Sequence, residues 1–268
     1  MVPKWVSFLG ISGGALKFLT FVTLFVFALT ASATSDIEKI IGDNDLVPVD
    51  ATASNIPVKY QSLVDAFGKI SMGCTATHIG NGYVLTAGHC FWAGEVPTKD
   101  QACADTEIQW GLRQGATPYM VSKCEKIVIA QWSGKNDFAV IKVSPIPPVA
   151  IAPEMERRAA TGDTVTIFSH PDGRPLEWSR LCGVEYKVHP GLPEGTIQHQ
   201  CDTNPGSSGA TIINALTLKV IGIHDGGLAG DSEADPADPN SPISMGMNYG
   251  TYIQNSPLGD TLRSLGFN

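Results

Sequence analysis

The stretch Pro205-Gly206-Ser207-Ser208-Gly209-Ala210-Thr211-Ile212-Ile213 decides the fold. A serine sits in a glycine-rich turn, and the residues after it form an apolar, β-branched run with the character of a strand. An α/β-hydrolase needs a helix after its serine and carries its histidine last in the chain. Here the candidate order is His89, Asp137, Ser208. The surroundings agree. Cys74 to Ile79, then Asn81-Gly82, then Tyr83 to Thr86 read as a hairpin, because Asn-Gly supplies the positive φ angles of a type I′ turn. Ile127 to Ala130, Phe138 to Val143, Thr164 to Ser169, Ala210 to Ile213, Val220 to His224 and Tyr249 to Ile253 are further expected strands. Leu258, Leu262 and Leu265 have the spacing of a short C-terminal helix. No helix alternates with the strands as a βαβ fold requires, and no internal repeat is evident. Four prolines between Pro145 and Pro153 mark a link between two β subdomains.

The bulk properties fit a turn-rich β protein. The 268 residues are 43% hydrophobic and 16% charged, with 28 glycines and 18 prolines. A formal charge of −8 excludes a nucleic-acid partner, which would call for a basic surface. Lys4 and Lys17 precede an uncharged run from Phe18 to Thr30, followed by Ala31-Ser32-Ala33, so residues 1–33 read as a secretory signal peptide. That run is short of the roughly 20 residues that span a bilayer. The expectation is therefore a secreted chain, extracellular or periplasmic, without stable membrane association after cleavage. Thr34 to Lys39 reads either as a short propeptide cut behind a basic residue or as an ordinary loop, and residues 40–268 form the main domain.

Secretion makes the six cysteines a disulfide framework, for which 15 pairings exist. Sequential pairing is expected: Cys74 with Cys90, Cys103 with Cys124, Cys182 with Cys201. No Cys-x-x-Cys occurs, so no structural zinc site is expected. Asp231-Ser232-Glu233-Ala234-Asp235 reads as a solvated loop, with an oxygen cage for calcium as the alternative.

Three motifs carry chemistry. Thr86-Ala87-Gly88-His89-Cys90 closes the first hairpin, Asn136-Asp137 sets a carboxylate at the rim of the buried run Phe138-Ala139-Val140-Ile141, and Ser208 stands in its glycine turn. A serine hydroxyl becomes a nucleophile when an imidazole removes its proton. The imidazole in turn needs a carboxylate on its other nitrogen. The backbone amides of Gly206 and Ser208 are the candidate donors to a developing oxyanion. No cofactor is needed for such chemistry.

Together these motifs resemble those of chymotrypsin-like serine peptidases. The resemblance implies an all-β fold of two packed, antiparallel six-stranded β-barrels, with the active site in the cleft and protein or peptide substrates cleaved by a monomer. A narrower resemblance is to the glutamyl endopeptidase branch. It rests on Ile40-Ile41-Gly42-Asp43-Asn44-Asp45, on Asp202-Thr203, on Val220-Ile221-Gly222-Ile223-His224 before Gly226-Gly227, and on Asn248-Tyr249-Gly250-Thr251-Tyr252-Ile253. It implies that Thr203 and His224 line the pocket for a Glu (or Asp) side chain before the scissile bond. It also implies that a free α-amine lies near that pocket, which Ile40 would supply if the chain were cut after Lys39. Desolvating a carboxylate calls for hydrogen-bond donors, which an imidazole and a hydroxyl provide.

Two alternatives stand beside this reading. Asp202 lies six residues before Ser208, where trypsin-type enzymes keep the carboxylate that selects Arg or Lys. The other is a catalytically silent homologue serving as a binding module. Ser207 precedes the nucleophile where trypsin-type zymogens carry an aspartate, so activation through that salt bridge is not expected. Asp225, next to His224, is expected to face outward, since strand neighbours alternate faces. His78, His170, His189 and His199 are expected at the surface or in loops, and Trp110, Trp132 and Trp178 in the core or groove.

Overall fold

The computed structural model describes residues 39–187, 192, 195–230 and 246–268. The signal segment, the stretch 34–38, His189 and the acidic stretch 231–238 lie outside the described residues. Two β-barrels dominate. The first consists of β1 (Phe67–Ile70), β2 (Thr75–Gly80), β3 (Tyr83–Thr86), β4 (Glu107–Trp110), β5 (Met120–Ser133) and β6 (Asn136–Ser144). Its ring runs β1-β2-β3-β6-β5-β4 and closes where β4 pairs with β1. The expected hairpin is β2–β3, with Asn81 at φ 53° and Gly82 at φ 70° as a type I′ turn demands. Thr98–Ala102 adds an edge to β5.

The second barrel consists of β7 (Thr164–Ser169), β8 (Cys182–Gly183), β9 (Ile197–His199), β10 (Thr211–Asn214), β11 (Val220–Leu228) and β12 (Met247–Tyr252). Its order β7-β8-β9-β12-β11-β10 repeats the connectivity of the first. The step from β8 to β9 is a single bridge, Val184 to His199, flanked by Glu185 N donating to Gln198 O and Gln200 N to Gly183 O. The chain has no detectable internal sequence repeat, yet the two halves are wound alike.

Side-chain alternation explains how the barrels pack. On β6, Ala139, Ile141 and Val143 fill the first barrel with Ile70, Ile108 and Trp110. Phe138 and Val140 point the other way, into a cluster with Phe67, Leu85, Phe168, Trp178 and Ile223 that joins the two barrels. A strand buried on both faces reads as the continuous apolar run seen in the sequence. Val165, Ile167, Ile197, Ile212 and Ile221 fill the second barrel. The terminal helix, Pro257–Ser264, starts at Ser256, whose hydroxyl accepts from Gly259 N. It lays Leu258 and Leu262 into the joining cluster. The three disulfides form in the expected sequential pairing.

Candidate active site

The turn after β3 carries His89. Gly88 is required there, because a β-carbon at that position would lie 1.9 Å from the Gln131 carbonyl oxygen. The close approach brings His89 against β6. The Nδ1 of His89 lies 2.5 Å from Asp137 Oδ2, and His89 N donates to Asp137 Oδ1 at 2.9 Å. One carboxylate thus fixes both the ring and the backbone of the same residue, which leaves Nε2 as the basic nitrogen. Trp132, half exposed, flanks the imidazole at 5.9 Å between ring centroids.

Ser208 comes from the turn before β10. Thr75 secures that turn from the first barrel: Thr75 N donates to Ser208 O at 2.9 Å and the Thr75 hydroxyl to Gly206 O at 2.8 Å. Gly206 (φ +100°) and Gly209 (φ +83°) adopt left-handed backbone. A β-carbon on Gly209 would meet the Thr86 hydroxyl at 2.2 Å and the Thr75 carbonyl oxygen at 2.6 Å. Ser207 is buried against Ser169, 3.0 Å between hydroxyls. A cavity of about 380 Å³ opens between the barrels, and His89, Asp137 and Ser208 line it together with Trp132, Thr196, Asp225 and Tyr249.

The other expected site residues fall elsewhere. Thr203 and His224 are fully buried, and neither is among the described residues lining this cavity. Asp202 is turned to the amino-terminal segment, accepting from Ile41 N at 2.8 Å and Asp45 N at 2.6 Å. Burial raises the affinity of its carboxyl for a proton and those amides oppose this. Beside it, Lys39 is clamped: its N donates to Asn248 Oδ1 at 3.0 Å, and its O accepts from Asn248 Nδ2 at 2.7 Å and Thr203 N at 3.0 Å.

Two expectations are corrected. Asp225 does not face outward; it is buried and lines the cavity. The register between β11 and β12 shifts between His224 and Gly226, and such a bulge breaks the alternation on which the expectation rested. His78, His170 and His199 are buried, not superficial. His78 bonds Val149 O at 2.6 Å and accepts from Gly82 N at 3.1 Å. Burial lowers His170 to about 4 and His199 to about 3. His199 also belongs to a relay that sequence reasoning missed. Cys201 N donates to its Nδ1 at 3.3 Å, and its Nε2 lies 3.2 Å from His224 Nδ1. With Nδ1 of His199 accepting, its proton sits on Nε2 and is donated to His224. The proton of neutral His224 is then on Nε2. Burial, then the neighbouring His199 and His89, hold His224 well below the usual imidazole range, opposed by its hydrogen bond to the Tyr249 backbone. Ile197, His199 and Cys201 alternate along β9 and its end, the one signal that could have placed His199 inside.

Fold and cleft together define a serine peptidase of the double-barrel type. A family model of the trypsin-like peptidase domain matches residues 74–223, more than half of the 268-residue chain, and the chain belongs to that family. The protein is accordingly a hydrolase of the serine endopeptidase class, acting on protein or peptide substrates. Among solved structures it is similar to a Glu endopeptidase, with 17% identity over 84% of this chain and 98% of that one and a TM-score of 0.60. It is also similar to the thermostable serine protease AL20 from an extremophilic microorganism, with 15% identity over 77% and 100% of the two chains and a TM-score of 0.55. Protease Anisep from Arthrobacter nicotinovorans shares 18% identity over 76% of this chain and 96% of its own, with a TM-score of 0.54. No curated protein sequence matches the chain.

Proposed function

We propose that the protein is a secreted, monomeric serine endopeptidase whose triad is Ser208, His89 and Asp137, and that it prefers Glu or Asp before the scissile bond. The observation that carries this reading is the 2.5 Å contact of His89 Nδ1 with Asp137, with Ser208 on the same cavity. Asp137 keeps the imidazole in the tautomer whose Nε2 takes the Ser208 proton. Ser208 Oγ attacks the substrate carbonyl, and the amides of Gly206 and Ser208 receive the oxyanion. His89 then protonates the leaving amine and activates the water that releases the acyl group.

Acidic preference has three supports. Asp202 is occupied by Ile41 and Asp45, which argues against a basic pocket built on it. His224 is next in sequence to the cavity residue Asp225 and pairs across the sheet with Gly250, the neighbour of Tyr249, so a neutral imidazole lies next to that wall. A Glu endopeptidase is among the similar folds. Three disulfides support passage through an oxidising compartment, and no helix among the described residues is long and apolar enough to cross a membrane. The Lys39 clamp supports a mature chain that retains Lys39.

The test has two arms. A sulfonyl fluoride should add one adduct, on Ser208, and none to Ser208→Ala; absence of an adduct on the oxidised protein would favour a binding module. Peptides varied only before the scissile bond should be cleaved fastest after Glu, and a preference for Lys or Arg would remove the acidic reading while leaving the triad.

A further inference from the structure

Asp225 is the one carboxyl that shares the catalytic cavity with Asp137 among the described residues. It is buried, and the bulge at its position turns it inward. Thr251 stands between the two acids. Its hydroxyl oxygen accepts from Asp137 N at 2.9 Å and donates to Asp225 Oδ2 at 2.7 Å. The hydroxyl has a single proton, and Asp225 takes it. Asp225 Oδ1 is sealed from solvent and has no hydrogen-bond donor among the described residues. An ionised carboxylate is not sustained with one oxygen bare in such a place beside a second negative charge. A proton on Asp225 removes the buried second charge, the costlier of the two problems, while Oδ2 keeps the hydrogen bond from Thr251.

We propose that Asp225 is a positioning residue of the triad: as a neutral acid, joined to Thr251, it holds the ionised Asp137 in place so that Asp137 can hold His89. This rests on the triad proposed above. Burial and the charge of Asp137 both push the Asp225 carboxyl well above the usual range, and the Thr251 hydroxyl opposes them. Of the pair, Asp137 keeps the charge because His89 gives it two N–H donors. The charged and titratable groups around Asp225 are Asp137 on β6, His89 on the turn after β3, Lys135 at the cavity mouth, Tyr249 on β12 and His224 beside it on β11. His224 is held neutral by burial, so it supplies no counter-ion. A neutral Asp225 lets the site contain two carboxyls with one negative charge, which is the charge that an imidazolium in the transition state needs opposite it.

The experiment compares kcat and kcat/KM against pH for wild type, Asp225→Asn and Asp225→Leu, with sulfonyl fluoride labelling of Ser208 alongside. Asparagine is nearly isosteric with the neutral acid, keeps an oxygen to accept from Thr251, and removes the titration. The acid limb, set by His89, should have the same midpoint in wild type and Asp225→Asn within about 0.3 unit, and the alkaline fall of the wild type should be lost or displaced upward by about one unit. Leucine should lower kcat roughly 10- to 100-fold with little change in KM, through misplacement of Asp137. An acid limb lowered by about one unit or more in Asp225→Asn would mean that Asp225 is a second anion in the native enzyme, and overturns the proposal. So would a kcat in Asp225→Leu equal to that of wild type. If Asp225→Leu does not fold, the Asp225→Asn profile decides alone. A wild-type protein that fails to label at Ser208 strikes the triad itself, a result distinct from a labelled, active enzyme indifferent to residue 225.

Discussion

Replacing Thr251 by valine isolates the hydrogen bonds that join the two barrels behind the active site. The side chains are nearly isosteric and Thr251 is 2% exposed, so the change removes a hydroxyl without opening a cavity. Two groups lose their partner: Asp137 N, bonded at 2.9 Å, and Asp225 Oδ2, bonded at 2.7 Å. Leaving a buried donor or acceptor unsatisfied costs about 1–3 kcal/mol each, so the pair amounts to roughly 2–6 kcal/mol, with about 3 kcal/mol as the working figure. For a domain of this size 1 kcal/mol corresponds to about 2–4 °C, and Tm should fall by about 6–12 °C. Thr251→Ser is the control. It keeps the hydroxyl and loses one methyl, which is worth about 0.8 kcal/mol plus a small cavity. Urea unfolding of the oxidised proteins, with m values unchanged, measures both. A gap between the valine and serine variants under about 0.5 kcal/mol would refute the reasoning, because Asp137 N would then be satisfied without Thr251.

Three further outcomes are expected. His170 at about 4 and His199 at about 3 are held neutral in the fold, while in the unfolded chain they titrate near 6.5. The unfolded chain therefore binds the extra protons, and stability should fall as pH drops from 6.5, by about 3 kcal/mol for His170 alone by pH 4. Asp225 has the opposite sign: its raised affinity for a proton stabilises the fold at low pH and is lost as pH rises through its folded value, so chemical unfolding across pH should give a maximum between the two regimes. Gly209→Ala forces an L side chain to φ +83° with its β-carbon 2.6 Å from the Thr75 carbonyl oxygen, and should cost more than about 3 kcal/mol; circular dichroism and Ser208 labelling would report it, and a native-like variant would mean that the turn can relax. A chain beginning at Ile40 loses the three Lys39 hydrogen bonds and should be about 2–4 kcal/mol less stable than one beginning at Asp36; a truncated chain of equal stability and higher activity would restore the propeptide reading of 34–39.

The residues of the candidate site, brought together on one cavity, were legible because their requirements are local. Gly88 and Gly209 are needed where backbones nearly touch, and the apolar run 138–141 is continuous because both of its faces are buried. Short strands such as Cys182–Gly183 and Ile197–His199 escaped because two or three residues carry no periodicity, and their pairing is decided by partners far away in sequence. Asp225 and His199 escaped for different reasons. A bulge overrides the alternation that sequence reading assumes, and a buried neutral histidine looks the same in sequence as an exposed one.

The disulfide between Cys74 and Cys90 has a mechanical consequence. Ser208 O is bonded to Thr75 N, the residue after Cys74, and Cys90 follows His89. The proposed nucleophile and base are therefore tethered by a covalent crosspiece and a single amide contact, a path that bypasses the large side chains between the barrels. The spacing of Ser208 and His89 thus does not depend on those side chains alone. A reductant would remove the crosspiece and leave that spacing to packing alone.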